Sequence, residues 1–129
     1  MESLKVKVTL PVSAEALYKA WLNSKEHTAF TGATAKASTK VNGKFSAWDD
    51  YITGKNIELV PGKKIVQTWR SVEFAKDTPD SMLELTFEEK DNKTTLHLHH
   101  YNLQKSDAKK YTDGWKESYF EPMKDYFKK

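Results

Sequence analysis

Apolar and polar positions alternate from the start of the chain. Leu4, Val6, Val8 and Leu10 face one way and Lys5, Lys7 and Thr9 the other, a period of two that predicts a half-buried strand. Pro11 ends it. Ser13 has the side chain of a helix N-cap, and Ala14, Leu17, Tyr18, Trp21 and Leu22 follow at the spacing of one helical stripe. Asn23 or Ser24 can cap a second short helix that ends near Phe30, where Gly32 supplies a stop.

From there the pattern predicts a meander of six strands cut by turn signals. Asn42-Gly43 is the strongest hairpin signal, Asp49-Asp50 separates two further runs, and Pro61-Gly62 suits the central positions of a type II turn. Lys76 to Asp80 reads as a loop, and Asp91-Asn92-Lys93 joins the last two strands. The runs between them are rich in Val, Ile, Thr, Phe, Tyr and Trp. Leu83, Leu85 and Phe87 oppose Glu84, Thr86 and Glu88, and Leu96 and Leu98 oppose His97 and His99. One-sided patterning at short connections predicts antiparallel pairing with one covered face.

The rest of the chain has helical spacing. Ala108, Tyr111, Trp115, Tyr119, Met123 and Tyr126 or Phe127 form one stripe, with Lys109, Lys116, Glu117, Lys124 and Asp125 mostly off it. Ser106 can cap this helix, Asp107 suits the positive pole, and Lys128 and Lys129 suit the negative one. Pro122 lacks the N–H that the Ser118 carbonyl would accept, which predicts a kink and an imperfect seal at the far end. A sheet with one apolar face needs a cover, and this helix is the element large enough to supply it. The expected fold class is α+β: a curved antiparallel sheet of about six or seven strands, two short helices, and a long C-terminal helix across the sheet.

Composition narrows the function classes. At 129 residues the chain has the size of one domain, residues 1–129, with one core. Hydrophobic residues at 38% and charged residues at 30% indicate a globular chain, and the aromatic share of 12%, with four Trp, is high. No cysteine is present, which excludes disulfides and thiolate chemistry. A strand beginning by Ser3 leaves no place for a signal peptide, and no apolar run approaches a membrane span, so a cytoplasmic protein without membrane contact is expected. The net charge of +3 is too small to suggest nucleic acid. Its distribution is uneven: residues 1–70 hold eleven Lys/Arg against six Asp/Glu, whereas residues 71–103 hold three against seven. A mildly basic N-terminal half can steer an acidic partner at low salt, although an ordinary solvated surface explains it as well.

Candidate chemistry is sparse. His97 and His99 point the same way on a strand, but on the outer face and without a third ligand at local spacing, so no metal is expected. His100 points inward by parity, either to satisfy a buried polar contact or to line a cavity. Asp49-Asp50 reads better as a turn than as a catalytic carboxylate pair. Neither a nucleophile elbow nor a phosphate-binding glycine loop is present, no cofactor is expected, and the chain is not expected to be an enzyme. The aromatics carry the signal: Trp21, Phe45, Trp69, Phe87, Trp115 and Tyr119 fall on predicted inner faces. They fit a filled core, or an apolar cavity under the helix with a few polar groups. The cavity-lining set would be Trp21, Phe45, Gln67, Trp69, Phe87, Leu98, His100, Trp115, Tyr119 and Met123.

Several segments carry a family resemblance over nearly the whole chain. They are Ser13-Ala14-Glu15-Ala16-Leu17-Tyr18, Gly43-Lys44-Phe45, Leu59-Val60-Pro61 through Ile65-Val66 to Trp69-Arg70, Leu85-Thr86-Phe87, and Gly114-Trp115 with Tyr119-Phe120-Glu121. In these the chain resembles the START-like (SRPBCC, Bet v 1-like) superfamily with its helix-grip fold, and within it the C-terminal domain of the activator of heat shock protein 90 ATPase. Pro122 stands where that pattern has a glycine. Eukaryotic family members also carry a separate N-terminal domain, for which 129 residues leave no room. The resemblance implies a non-enzymatic, co-chaperone-type protein-binding module, monomeric, with a heat shock protein 90-type chaperone as partner. The wider superfamily implies an alternative, a carrier or sensor of a small hydrophobic molecule held between helix and sheet.

Overall fold

The computed structural model describes residues 2–105 and 107–127. The first strand, β1 (Glu2–Leu10), leads into α1 (Ala14–Trp21) and α2 (Ser24–Thr31). Ser13 caps α1 by accepting from the Ala16 N–H, and Asn23 caps α2 by accepting from the Glu26 N–H. Gly32, at a φ of +80°, ends α2 in the left-handed conformation that favours glycine. Five strands follow: β2 (Lys44–Ala47), β3 (Ile52–Val60), β4 (Lys64–Ser71), β5 (Ser81–Lys90) and β6 (Lys93–Leu103).

Five strands rather than six follow the helices because residues 33–43 do not form a strand. They make one isolated bridge, Lys36 to Ser46. Asn42-Gly43 is consequently a turn into β2, not a hairpin between two strands. Its backbone is tied to β3: the Asn42 N–H donates to the Asn56 carbonyl at 2.8 Å and the Asn56 N–H to the Gly43 carbonyl at 2.9 Å. The other turns form where the turn residues stand. Pro61-Gly62 is closed by the Lys63 N–H donating to the Val60 carbonyl at 2.9 Å, with Gly62 at a φ of +71°. Asp91 and Asn92 both have positive φ between the paired Lys90 and Lys93.

The sheet is antiparallel in the order β1-β6-β5-β4-β3-β2. The N-terminal strand thus lies beside the last one, with Val6 opposite Leu98 and Val8 opposite Leu96. Gly54 allows a close crossing in β3, since a Cβ there would fall 2.0 Å from the Thr68 carbonyl oxygen and 2.6 Å from the Phe45 ring.

The C-terminal helix crosses the inner face in three consecutive pieces, α3 (Asp107–Gly114), a π-helical stretch Trp115–Phe120, and α4 (Glu121–Phe127). The expected caps Ser106, Lys128 and Lys129 lie outside the described residues. At the start of α3 the Glu2 carboxylate accepts from the Ala108 N–H at 3.3 Å. The helix accommodates Pro122 by widening in the turn before it, where the Glu121 N–H reaches back to the Lys116 carbonyl in a π-type bond. The apolar stripe stays continuous, with Trp115, Tyr119, Phe120 and Met123 all buried.

Candidate functional site

The space beneath the helix is filled. Leu17, Ile65, Leu83, Leu85, Leu96, Leu98 and Met123 are almost wholly buried there. Each fully buried side chain of this size contributes roughly 1.5–3 kcal/mol. Between Trp21, Phe45, Gln67, Trp69, Trp115 and Tyr119 a gap of only about 10 Å³ remains, which holds at most one water.

The polar groups in this core are consumed by three relays. In the first, the Trp115 indole N–H donates to His100 Nδ1 at 3.1 Å. The proton of the neutral ring is therefore on Nε2, which donates to Ser81 Oγ at 2.8 Å, and Ser81 donates in turn to the Trp69 carbonyl at 2.7 Å. Burial, with a smaller contribution from His99, lowers the His100 pKa to about 3. In the second, His27 Nδ1 donates to the Trp21 carbonyl at 2.9 Å, and Nε2 accepts from the Tyr119 hydroxyl at 3.0 Å. Burial lowers the His27 pKa to about 4 and pushes the Tyr119 phenol far above its ordinary value, against a hydrogen bond from Trp48. In the third, the Trp21 indole N–H meets Gln67 Oε1 at 3.4 Å, Gln67 donates to Asn56 Oδ1 at 2.8 Å, and Asn56 donates to the carbonyls of Ser38 and Lys40. Among the described residues no buried side-chain nitrogen or oxygen lacks a partner. Both buried histidines are thus neutral and fully engaged, and neither faces the open cleft described next.

That cleft, of about 410 Å³, opens where the helix leaves the ends of β3 and β4. Trp115, Tyr119, Tyr111 and Gly114 form its helical wall, Ile52 and Trp69 its sheet wall, and Trp48 and Tyr51 its rim. Trp48, Asp49 and Asp50 all have positive φ, at 55°, 57° and 69°, an unfavourable run for non-glycine residues. Asp49 anchors the turn, since its N–H donates to the Thr34 carbonyl at 3.0 Å and its carboxylate accepts from the Thr34 N–H at 3.2 Å. The turn holds Trp48 edge-on against Tyr119 with the ring centroids 5.8 Å apart. The opening therefore lies along residues 111–119, upstream of Pro122 and not beyond it.

Of the ten cavity-lining residues expected from the sequence, Trp69, Trp115 and Tyr119 line this cleft, and with Trp21, Phe45 and Gln67 they also border the small internal gap. Phe87, Leu98, His100 and Met123 border neither. Phe87 packs edge-on against Tyr18 at 5.9 Å, and the other three are core. Sequence reasoning missed Trp48, Tyr51, Ile52 and Tyr111 in the cleft, and also His27. The His27 signal was present but faint, a histidine three residues before Phe30 on the buried side of α2. His97 and His99 stand on the outer face, where His97 Nε2 lies 3.0 Å from the Glu88 carboxylate. Among the described residues no group of three or more His, Asp or Glu is placed to hold a metal.

Comparison with known proteins places this architecture. The family described as "Activator of Hsp90 ATPase homolog 1-like protein" matches residues 11–128. The human "Activator of 90 kDa heat shock protein ATPase homolog 1" is 31% identical over 127 residues, which is 96% of this chain and 36% of that protein. A Dictyostelium discoideum activator homolog is 30% identical over 98% of this chain and 33% of its own length. The chain thus spans about a third of the curated relatives it matches. Among solved structures, an HSP90 activator from Plasmodium falciparum superposes with a TM-score of 0.85 at 25% identity, covering 94% of this chain and 92% of that one.

Proposed function

Because the chain belongs to the Activator of Hsp90 ATPase homolog 1-like family, we propose that it is a non-enzymatic binding module of the co-chaperone type that docks on an Hsp90-type chaperone. The carrying observation is the family match over residues 11–128, with 31% identity to the human activator homolog across 96% of the chain. The interior is consistent with binding rather than catalysis, since its histidines, serine and amides are closed into relays with no group directed at an open space. The proposal concerns docking by residues 1–129 as one module, the portion that corresponds to about a third of those relatives. It is tested by titrating a purified Hsp90-type chaperone with this protein while following heat of binding and ATPase rate. Saturable binding at tens of micromolar or tighter is expected, about −6 kcal/mol or better. No heat and no change of rate at those concentrations refutes the docking.

A second reading, a carrier of a small hydrophobic molecule, is favoured by the cleft itself. Its volume of about 410 Å³ lies within the roughly 300–1,000 Å³ usual for ligand pockets, and six aromatic rings line it. The probe is neutral N-phenyl-1-naphthylamine, titrated while backbone amides are watched. Shifts centred on Trp48, Tyr51 and Tyr111 are expected, and shifts scattered over other surfaces, or none, sink this reading.

A further inference from the structure

We propose that the outer face of β2 and β3, together with the turn before β2, is a docking surface for an acidic polypeptide segment that carries apolar residues. The inference stands independently of the chaperone reading and of the aromatic cleft. It starts from a stretch of one charge sign. Between Glu26 and Asp49 the chain has Lys36, Lys40 and Lys44 and no acidic residue. The fold gathers these lysines with a fourth. Lys44 pairs directly with Lys55 across β2 and β3, and Lys36 bridges Ser46, which pairs with Thr53. Directly paired residues share a face. Phe45 and Ala47, both in the apolar core packing, take the inner face of β2, which leaves Lys44 and its partner Lys55 on the outer one, while the backbone bridge to Ser46 carries the exposed Lys36 along the free edge of β2. Lys40 stands in the turn that leads into β2, where its carbonyl accepts from the Gly43 N–H at 3.0 Å just before Lys44.

None of the four lysines forms an ion pair among the described residues. Glu58 on β3 pairs with Lys64 at 3.5 Å, Asp80 pairs with Arg70 at 3.1 Å, and the Asp49 carboxylate accepts from the Thr34 N–H. Like charges directly opposite on paired strands oppose folding, so Lys44 against Lys55 is an arrangement that stability alone does not favour. Protection of a sheet edge against stray pairing accounts for a lysine on the edge strand β2. It does not account for Lys55 on the second strand, nor for the apolar residues beside it. Val41 and Ile57 are 52% and 39% exposed, two of the few large hydrophobics so exposed among the described residues. They flank the hydrogen bond from Asn42 to Asn56, with Ile57 at the irregularity in β3 between Asn56 and Glu58. Two apolar side chains among four uncompensated ammonium groups are complementary to a segment with carboxylates around one or two apolar residues.

The test titrates isotope-labelled protein with a synthetic peptide of alternating Glu and Leu, with poly-L-glutamate and a single-stranded oligonucleotide in parallel arms. Amide shifts confined to residues 36–46 and 53–57 are expected. Affinity for the peptide should exceed that for poly-L-glutamate and fall at least tenfold between about 0.05 and 0.5 M salt, where screening shortens to a few ångströms. Lys55→Glu places opposite charges across the strand pair, so it should weaken the peptide at least tenfold while melting no lower than wild type. Lys40→Glu, outside the strand pairing, should give the same loss by an independent route. Unchanged peptide affinity in both variants overturns the proposal, as do shifts centred on another surface. Tighter binding of the oligonucleotide than of the peptide at the same lysines also overturns it, because the surface would then serve nucleic acid. Absence of peptide binding by wild type, with self-association appearing in the variants, reduces the lysines to edge protection and ends the proposal.

Discussion

Trp115 is the residue on which the closure of the helix over the sheet can be measured. Its ring is 4% exposed, tilts against Tyr119, Trp69 and Trp21 at centroid distances of 4.8, 6.0 and 6.4 Å, and donates its N–H to His100. Trp115→Ala removes the packing and the donor together, and truncation of a large buried aromatic costs about 3–5 kcal/mol. Trp115→Phe keeps most of the ring and removes the N–H, leaving His100 Nδ1 as an unpaired buried acceptor, a cost of about 1–3 kcal/mol. The open cleft beside Trp115 admits water to part of the vacated space, which places both variants toward the lower half of these ranges. Urea unfolding followed by far-ultraviolet circular dichroism gives both values without depending on tryptophan emission. The Phe variant has a second signature: with no donor on Nδ1, His100 becomes easier to protonate, and its titration in an NMR experiment should move up from about 3. A loss below about 1 kcal/mol for Trp115→Ala would show that the helix does not seal the core, and the packing argument would fail.

The remaining predictions concern pH and glycine. Burial depresses both internal histidines, to about 4 for His27 and about 3 for His100, from an ordinary value of 6.5. The unfolded chain therefore binds more protons than the folded one below pH 6.5, so the stabilisation is full above that pH and is lost as pH falls toward 4 and then 3. At about 1.36 kcal/mol per unit, each histidine should cost roughly 2 kcal/mol between pH 6.5 and 5. Equal urea midpoints at pH 7 and pH 5 would refute this, and His100→Asn should flatten the profile if the assignment holds. Gly54→Ala forces a Cβ to within 2.0 Å of the Thr68 carbonyl oxygen and should lower stability by more than about 2 kcal/mol. Gly114→Ala meets nothing within 4 Å in a helical backbone and should raise stability by roughly 0.5–1 kcal/mol. The two melting temperatures, compared side by side, are the check, and a shift in the same direction for both would contradict the geometry.

Local signals were legible because they rest on short-range physics. Ser13 and Asn23 cap their helices, and Gly32 and Gly62 take the left-handed conformation, because each choice depends only on the backbone a few residues away. The alternation in β5 and β6 correctly put His100 inside and His97 and His99 outside, since pleat parity is a property of the strand itself. Where parity was not enough, the expectation failed. Residues 33–43 run up to the Asn42-Gly43 hairpin signal, yet they form a single bridge, and Asn42 and Gly43 bond to Asn56 on β3 instead. Pro122 was legible as a disturbance, but its resolution as a π-helical stretch depended on keeping Trp115, Tyr119 and Met123 against the sheet.

The sequence by itself determined the two short helices and their caps, the strands β1 and β3 to β6 with the turns at Pro61-Gly62 and Asp91-Asn92, the inner and outer faces of β5 and β6, and the aromatic helix that covers the sheet. Only the tertiary structure decided that β1 lies beside β6, that the space under the helix is closed by side chains and three polar relays, and that the opening falls between the Trp48 turn and residues 111–119. The physical reason is one of range. Periodicity records which side of an element avoids water, whereas the volume left between two such sides depends on how side chains from five or six elements interdigitate, and no local pattern encodes that sum.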